Sequence, residues 1–304
     1  MADYQETFQP VFDRIGFEPA KTFREGPRFY VVGGGYRGKR AVFKADVEEG
    51  PRRLRKARWR TRREAIFLEY AGIKHIPEFY EKGVRRKFFW FLEGWVSGES
   101  QEMGGSTFLV KETFFTERNM EFLLEFLTEL HRLGGKSIPQ FEAHLPRYTL
   151  ADYMNFIWSD RGHLLGKDLA EEAAVYLKSR HRLFNINQTV VAHHELYGPH
   201  IFVAPDQFSV IDWENVGWGN LAHDFVSIWI RSFAHPDFQS ELLKRFRAKQ
   251  KAKEVFDQLF RLEVILQGVG NIRFFKYAKA PEEKLVADEV SDFLRENLEK
   301  AVSA

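Results

Sequence analysis

One segment in the second half of the chain carries polar groups that the apolar residues around it do not need for packing. Two apolar, strand-forming runs enclose a loop that holds His193, Glu195 and His200, and a third apolar run ends at Asp212. Histidine and carboxylate side chains in such a place either ligate a metal ion or act on a reacting group. The segment is therefore the first candidate for chemistry.

A zinc hydrolase is one reading of this loop, because His194-Glu195 is followed by His200. Zincins need their two histidines four residues apart on one helix face. Here they are six positions apart and Gly198-Pro199 lies between, which no regular helix tolerates. The spacing excludes this class.

A second candidate lies near the N-terminus, where a short apolar strand ends at Lys44 in the form A-x-x-K. Glu64 follows on the next predicted helix, and this pair fits the ion pair that holds a kinase lysine on the phosphates of ATP. The alternative is an edge lysine that guards a strand, and Glu69 is a competing partner on another helix face. As a strand-end residue, Lys44 is expected to contribute little to the core.

Two glycine-containing segments could hold phosphates. Gly33–Gly38 matches G-x-G-x-x-G, but a strand follows where a dinucleotide fold needs a helix, so this segment predicts a hairpin turn. The turn around Gly26 is better placed as a kinase phosphate loop, because enough residues remain before Lys44 for a strand, a hairpin and a strand.

The elements that must position these residues fall into two groups along the chain. Hydrophobic spacing predicts a helix over residues 1–16, strands between 22 and 46, a helix over 55–70, and strands over 76–80 and 87–91. After a glycine- and serine-rich stretch near Val96, helices are predicted over 117–133, 150–158, 169–183, 224–233 and from 239 onward, with short strands between 189 and 212. This grouped order predicts a two-lobed α+β fold rather than an alternating α/β sheet.

Composition narrows the class of protein further. The 304 residues include no cysteine, which excludes disulfides, a thiolate nucleophile and cysteine-based metal sites. No apolar run approaches the ~20 residues of a membrane-spanning helix, and the N-terminus has no signal-peptide pattern. We therefore expect a cytoplasmic protein without a membrane partner.

Taken in order, these motifs resemble the aminoglycoside phosphotransferase family of the protein-kinase-like fold. Its pattern is roughly H-x-D-L-x-x-x-N, two strands, and I-D-[FW]; here residues 193–200 read His-His-Glu-Leu-x-x-x-His and residues 211–214 read Ile-Asp-Trp-Glu. Residues 92–98 resemble the hinge strand over adenine, and 127–133 resemble the L-x-x-L-H-x-L helix. Residues 217–224 resemble the segment ending in an aspartate that braces the catalytic loop.

The resemblance implies a β-rich N-lobe over residues 1–93 that binds nucleotide, and a mainly helical C-lobe over 97–304. It implies ATP or GTP with Mg²⁺ as cofactors and a small-molecule hydroxyl as the phosphoryl acceptor. The implied nucleotide-binding residues are Lys44, Glu64, Gly26, Glu93, Gly94 and Trp95; the implied metal ligands are Asp212 and His200; the implied catalytic residues are Glu195, which orients or deprotonates the hydroxyl, His193, which holds the loop, and Asp224, which braces it.

Two departures from the family pattern leave an alternative open. Glu195 stands where the family has aspartate, and His200 stands where it usually has the magnesium-ligating asparagine, although some aminoglycoside kinases that modify the 2″-hydroxyl carry histidine there. A longer carboxylate can slow phosphoryl transfer without abolishing it, because the reaction depends mainly on positioning and charge. The alternative is a pseudokinase that binds nucleotide and acts as a scaffold or sensor.

Charge and the other histidines complete the sequence-based expectations. Residues 21–63 hold fifteen Lys and Arg against four Asp and Glu, so the rest of the chain is acidic, which is compatible with a cationic acceptor. A basic run over 52–63 would bind nucleic acid only as the less favoured alternative to a solvated helix face. His131 is expected in the core and His194 on the solvent side of its loop. The sequence predicts neither the acceptor's identity nor the oligomeric state.

Overall fold

The computed structural model describes residues 4–48, 56–157, 164–278 and 281–303, and the chain divides into two compact units. The first unit comprises Met1–Ser97, Ile138–Leu145 and Ser209–Val216, and the second comprises Gly98–Ser137, Pro146–Phe208 and Gly217–Ala304. The sequence places everything after residue 97 in the C-lobe, whereas here two short later segments belong to the first unit. Residues 52–55 of the basic run lie outside the described residues.

The first unit is built on a five-stranded antiparallel sheet in the order β1-β2-β3-β5-β4. Its strands are β1 (Phe17–Glu25), β2 (Phe29–Tyr36), β3 (Lys39–Asp46), β4 (Phe79–Arg85) and β5 (Phe88–Gly94).

Helix α1 (Tyr4–Ile15) covers one face of this sheet, as the spacing of its apolar residues predicts. Phe8 and Phe12 pack against Phe43 of β3, with ring centroids 5.2 Å and 4.9 Å apart, and Phe43 stacks on Trp90 of β5. Side chains alternate along a strand, so burial of Phe43 on the α1 side directs Lys44 to the opposite face.

The glycine-rich segment lies mainly within a strand, so the predicted extent of the hairpin turn is wrong. Gly33–Gly35 belong to β2, and only Arg37 and Gly38 form the turn, with φ of 49° and 77°. Two positive φ values fit the two-residue type I′ turn whose twist matches a hairpin. A Cβ at Gly33 would lie within 3.0 Å of the rings of Phe23 and Trp95, which is why glycine is required inside this strand.

The remaining elements of the first unit flank the other face. Helix α2 (Lys56–Ala71) ends before Gly72, whose φ is 55°, as predicted. The strand predicted from Ile76 starts instead at Phe79, so that boundary is wrong by three residues. Beyond the sheet, Phe67 of α2 contacts Phe141, and the short helix 139–144 therefore packs in this unit.

The second unit is mainly helical, which confirms the predicted α+β class. Helix α3 (Glu117–Leu133) has the predicted bounds, and the side chain of its N-cap residue Thr116 accepts the N–H of Asn119. The single helix predicted over 169–183 is wrong, because two helices cover this part of the chain. No helix among the described residues is long and apolar enough to cross a membrane. After α3 the helices of the chain are α4 (Pro139–His144) in the first unit and, in the second, α5 (Leu150–Ile157), α6 (Lys167–Ser179), α7 (His181–Ile186), α8 (His223–Arg231), α9 (Pro236–Ala248), α10 (Lys253–Lys276), α11 (Pro281–Leu285) and α12 (Ala287–Ser303).

Short strands carry the candidate chemistry, as the sequence predicts. β6 (Glu99–Ser100) pairs with β8 (Ile201–Ala204), and β7 (Val190–Ala192) pairs with β10 (Gly217–Gly219). The polar loop 193–200 runs from β7 to β8, and β9 (Gln207–Val210) leads the chain from the second unit into the segment that contains Asp212.

Candidate functional site

Lys44 is the centre of a buried charge cluster in the first unit. Its Nζ lies 2.7 Å from Glu64 Oε1 and 3.0 Å from Glu93 Oε1, and its side chain is only 16% exposed. Glu93 reaches Lys44 because the β3–β5 register places it opposite Val42, on the same face as Lys44. The competing partner Glu69 instead pairs with Lys82. The predicted Lys44–Glu64 ion pair is present, and the prediction that Lys44 contributes little to the core is wrong.

The cluster holds more negative than positive charge. Burial lowers the pKa of Lys44, but the carboxylates of Glu64, Glu93 and Asp212 outweigh it and hold that pKa well above its ordinary value. Burial likewise raises the pKa of Glu64 to about 8, against the opposing effect of Lys44, and raises the pKa of Glu93. Three carboxylates around one ammonium leave two negative charges in excess when all are ionised.

Asp212 sits at a strained point of the backbone. Its φ and ψ are 65° and 59°, in the left-handed region, which costs a non-glycine residue roughly 1–2 kcal/mol. The N–H of Trp213 donates to Glu64 Oε1 over 3.2 Å, and the Trp213 ring stacks on Phe67 with centroids 4.0 Å apart. Glu214 then pairs with Arg60 over 2.8 Å. These contacts with α2 hold Asp212 in its strained conformation, beside the lysine cluster.

The predicted nucleotide residues around the turn and the hinge lie on the same sheet. The Gly26 N–H donates to the Phe29 carbonyl in the β1–β2 turn, and the Gly94 N–H donates to Glu78. The Trp95 ring contacts Phe23, with centroids 5.5 Å apart, and the Arg40 guanidinium lies 3.6 Å from its centroid.

In the second unit, Asp224 braces the polar loop as the resemblance implies. The fully buried carboxylate accepts the N–H of His193 over 2.6 Å and the N–H of His194 over 3.0 Å. His193 is also buried, and its Nδ1 accepts the N–H of Glu195 over 3.2 Å. The backbone that presents Glu195 is therefore held from two sides.

His200 is oriented by the same loop. Its Nδ1 lies 2.7 Å from the carbonyl oxygen of Glu195, an acceptor, so Nδ1 carries the proton. In the neutral imidazole this places the lone pair on Nε2, which is the usual arrangement of a metal-binding histidine whose other nitrogen donates to a carbonyl.

The expectation for His194 is wrong. Its Nδ1 lies 3.1 Å from His223 Nε2 and 3.3 Å from the Tyr153 hydroxyl, so the ring faces other side chains rather than solvent. His223 Nδ1 in turn donates to Glu263 Oε2 over 3.0 Å. The φ of His194 itself is 68°, which turns the backbone at this point of the loop.

Sequence reasoning missed the polar stripe of helix α8. His223, Ser227 and Arg231 recur every four residues on an otherwise apolar helix, and this spacing is a signal that could have found them. Ser227 Oγ donates to the carbonyl of Leu196 over 3.0 Å, so the helix that carries Asp224 also holds the polar loop 193–200 at Leu196. His131, in contrast, is buried as expected, and burial lowers its pKa to about 4.

The residues present suit magnesium. Within the described parts of the chain no group of three or more His, Cys, Asp and Glu side chains forms a ready-made metal site. Magnesium, however, is commonly held by one or two carboxylates together with substrate phosphates and water. The half-buried Asp212, beside an excess of negative charge in the first unit, fits that habit.

Comparison with known proteins places this arrangement in a family. Residues 38–259, nearly three quarters of the chain, match the sequence model described as the phosphotransferase enzyme family. The chain belongs to this family. No curated protein matches its sequence.

Solved structures show that this family member has the fold of aminoglycoside kinases. The GDP complex of an F108L mutant of aminoglycoside 2'-phosphotransferase-IIIa superposes with a TM-score of 0.62 at 15% identity, covering 99% of this chain and 96% of that one. An APH(4)-Ia mutant with AMP-PNP and hygromycin B gives 0.59 at 9% identity and 97% coverage of both chains. Spectinomycin phosphotransferase APH(9)-Ia, with ADP and spectinomycin, gives 0.57 at 11% and 98% of both. The predicted protein-kinase-like fold is confirmed.

Proposed function

We propose that this phosphotransferase moves the terminal phosphoryl group of ATP or GTP to a hydroxyl of a small molecule. This assignment of residues rests on the buried ion pair of Lys44 on β3 with Glu64 on α2, whose atoms lie 2.7 Å apart. Both residues fall within the part of the chain that matches the family model. The Lys44 ammonium is already held in place by its ion pairs, so its side chain loses little conformational entropy when phosphates bind to it. The structures with GDP, ADP and AMP-PNP are consistent with a nucleotide donor.

In this proposal the nucleotide lies on the sheet of the first unit. Lys44 contacts the α- and β-phosphates, and Glu64 and Glu93 hold it in place. The turn at Gly26 covers the phosphates, and the backbone of Gly94 and Trp95 contacts the base. Asp212 and His200 are the residues that would hold Mg²⁺, and the ion would supply positive charge against the phosphate oxygens.

The second unit presents the acceptor. Glu195 orients the hydroxyl and accepts its proton, and His193 and Asp224 keep the Glu195 backbone fixed through the bonds described above. One additional methylene relative to aspartate extends the reach of the carboxylate, so we propose that the acceptor hydroxyl lies correspondingly farther from the loop backbone.

The test compares two glutamates of one helix. Purified wild type, Glu64→Gln and Glu69→Gln are incubated with Mg²⁺ and ATP or GTP, and nucleotide affinity is measured by calorimetry. Hydroxyl acceptors are then added, and phosphorylated products are detected by mass spectrometry. Glu64→Gln should lose nucleotide affinity about tenfold or more, whereas Glu69→Gln, whose partner is Lys82, should bind as wild type does.

Each outcome separates the alternatives. Nucleotide binding with phosphoryl transfer to an acceptor supports the proposal. Binding without transfer to any hydroxyl compound would instead indicate the pseudokinase. Equal affinity of both glutamine variants would place the nucleotide away from Lys44.

A further inference from the structure

A cavity of about 320 Å³ lies inside the second unit, next to the catalytic loop. Its walls are the polar stripe of α8, the facing side of α10 and the loop residues on either side of Glu195, namely His194 and Tyr197. The volume falls in the range of small-molecule sites, which begins at about 300 Å³. Glu195 itself does not line the cavity, so an acceptor held there would have to extend its hydroxyl along the loop to reach that carboxylate.

The carboxylate that lines the cavity, Glu263, is already held by neighbouring side chains. Glu263 accepts from His223 Nδ1 over 3.0 Å, and it also accepts from Asn220 and Gln267. Burial lowers the pKa of His223, but the Glu263 carboxylate outweighs it and raises that pKa above its ordinary value. With three donors already on its carboxylate, Glu263 is not the counter-ion of Arg231.

Arg231 is the charged group that remains. It is 8% exposed and lines the same cavity. Its Nη1 donates to the carbonyl and the hydroxyl of Ser227, over 2.8 Å and 3.0 Å. The rings of Tyr197 and Phe108 lie 4.4 Å and 5.0 Å from the guanidinium carbon, and an aromatic ring offers no anionic oxygen.

Within the described residues, no carboxylate pairs with this guanidinium and its Nε has no hydrogen-bond partner. Burying a charge without a counter-ion is costly, and proteins accept that cost mainly where a ligand supplies the opposite charge. Burial lowers the pKa of Arg231 only to about 10, so it remains cationic at neutral pH.

We propose that the cavity binds a phosphoryl acceptor that carries an anionic group, a carboxylate or a phosphate, on Arg231, and presents its hydroxyl to Glu195. This inference rests on the proposed function for the identity of the reaction. Tyr197 links the two ends: its ring contacts Arg231, and it follows Glu195 by two residues in the loop. A hydroxy acid or a sugar acid fits this arrangement, and a polycationic antibiotic does not. The acidic balance of the chain outside residues 21–63 favours the opposite charge, but the group that the ligand would touch in this cavity is the Arg231 guanidinium.

The first test measures the site without any reaction. Inorganic phosphate is titrated into the nucleotide-free wild type and variants and its affinity is measured by calorimetry, and in the wild type the side-chain ¹H–¹⁵N signal of Arg231 is also followed by NMR. Arg231→Met should weaken phosphate binding about tenfold or more, Arg231→Lys should retain part of it, and the exposed Arg182→Met on α7 should change nothing. Should Arg231→Met fail to fold, Asn271→Asp serves instead, because it adds a carboxylate to the same wall and should weaken phosphate to a similar degree. The proposal is overturned if Arg231→Met, or Asn271→Asp in its place, binds phosphate as tightly as wild type does. It is also overturned if wild type binds no phosphate.

The second test separates the proposal from the proposed function. Glucose, glucuronate and glucosamine present related hydroxyls with neutral, negative and positive charge, and hygromycin B supplies a polycation. With ATP and Mg²⁺, glucuronate should give the highest kcat/KM of the four, and Arg231→Met should remove that preference. Preferred transfer to glucosamine or hygromycin B, unaffected by Arg231→Met, overturns the inference and leaves the phosphotransferase intact. Absence of transfer to every compound counts against the proposed function, whereas the phosphate titration still decides the anion site.

Discussion

Replacing Lys44 with methionine tests whether the charge cluster of the first unit, the proposed nucleotide site, also stabilises the fold. Methionine keeps the unbranched stem and removes the ammonium. Glu64 and Glu93 then lose their shared partner while both stay buried. Removal of one partner from a buried ion pair costs about 3–5 kcal/mol, so we expect about 3 kcal/mol here, since the lysine side chain is 16% exposed. At ~2–4 °C per kcal/mol, the unfolding midpoint should fall by about 6–12 °C.

A double-mutant cycle isolates the pair. Lys44→Met combined with Glu64→Gln should recover about 1–3 kcal/mol relative to the sum of the single variants, because the amide needs no counter-charge. The matched control is the Lys82–Glu69 pair, whose side chains are 35% and 27% exposed. Lys82→Met with Glu69→Gln should show a coupling of about 1 kcal/mol or less. Thermal and urea unfolding measure both cycles, and equal coupling in the two would refute the electrostatic account.

The pH dependence of this loss has a defined sign. Burial raises the pKa of Glu64 from 4.5 to about 8, so its protonated form favours the folded state. Its contribution to stability is fully present below about pH 4.5 and is lost as the pH rises through about 8. Lys44 opposes that shift, so its removal should cost little at pH 5 and most at pH 8. An unfolding midpoint lowered by the same amount at pH 5 and pH 8 would contradict the cluster as described.

Three further predictions concern the catalytic groups. Asp212→Asn should reduce Mg²⁺-dependent ATP affinity, measured by calorimetry, more than His200→Ala does, because a carboxylate is the harder and charged ligand; the reverse order would point to a softer metal such as Mn²⁺. Glu195→Asp should keep or raise turnover in a steady-state assay, whereas Glu195→Gln should lower it by about 10²–10⁴-fold, and a fully active Glu195→Gln would remove this residue from the proton transfer. Asp224→Asn can accept only one of the two loop N–H groups, so kcat should fall while ATP affinity stays near that of wild type; a loss confined to ATP affinity would contradict a bracing role.

The sequence predicts the ion pair of Lys44 with Glu64 because both positions follow from local periods. The two-residue period of a strand sends Lys44 to one face, and the helix period separates Glu64 from Glu69. The contact of Glu93 with the same lysine depends instead on the register between β3 and β5, which are separated in sequence by a helix and a strand. Sequence reasoning therefore assigned Glu93 to the hinge alone.

Non-local packing also explains the other errors. Gly33–Gly35 suggest a turn by composition, yet they lie in β2, paired with β1 and β3. A Cβ at Gly33 would meet the rings of Phe23 and Trp95, and one at Gly34 would meet the carbonyl of Glu18. His194 suggests a solvent-exposed loop residue, yet its partner His223 lies on a helix that begins 29 residues later. In each case the structure of the segment depends on a contact with an element distant in the sequence, which the local pattern does not reveal.

The two strained turns in the candidate site share one physical solution. His194 and Asp212 both adopt left-handed backbone conformations that cost a non-glycine residue roughly 1–2 kcal/mol. Beside each turn a buried helix carboxylate accepts backbone N–H groups: Asp224 accepts that of His194, and Glu64 accepts that of Trp213. Such a hydrogen bond contributes about 0.5–1.5 kcal/mol, and about 1.5–3 kcal/mol when the acceptor is ionised, which is of the same order as the strain. Glu64 and Asp224 therefore each stabilise a strained turn in their own unit by accepting a backbone N–H. Each thereby connects a loop that carries a residue proposed for the site to a helix of that unit.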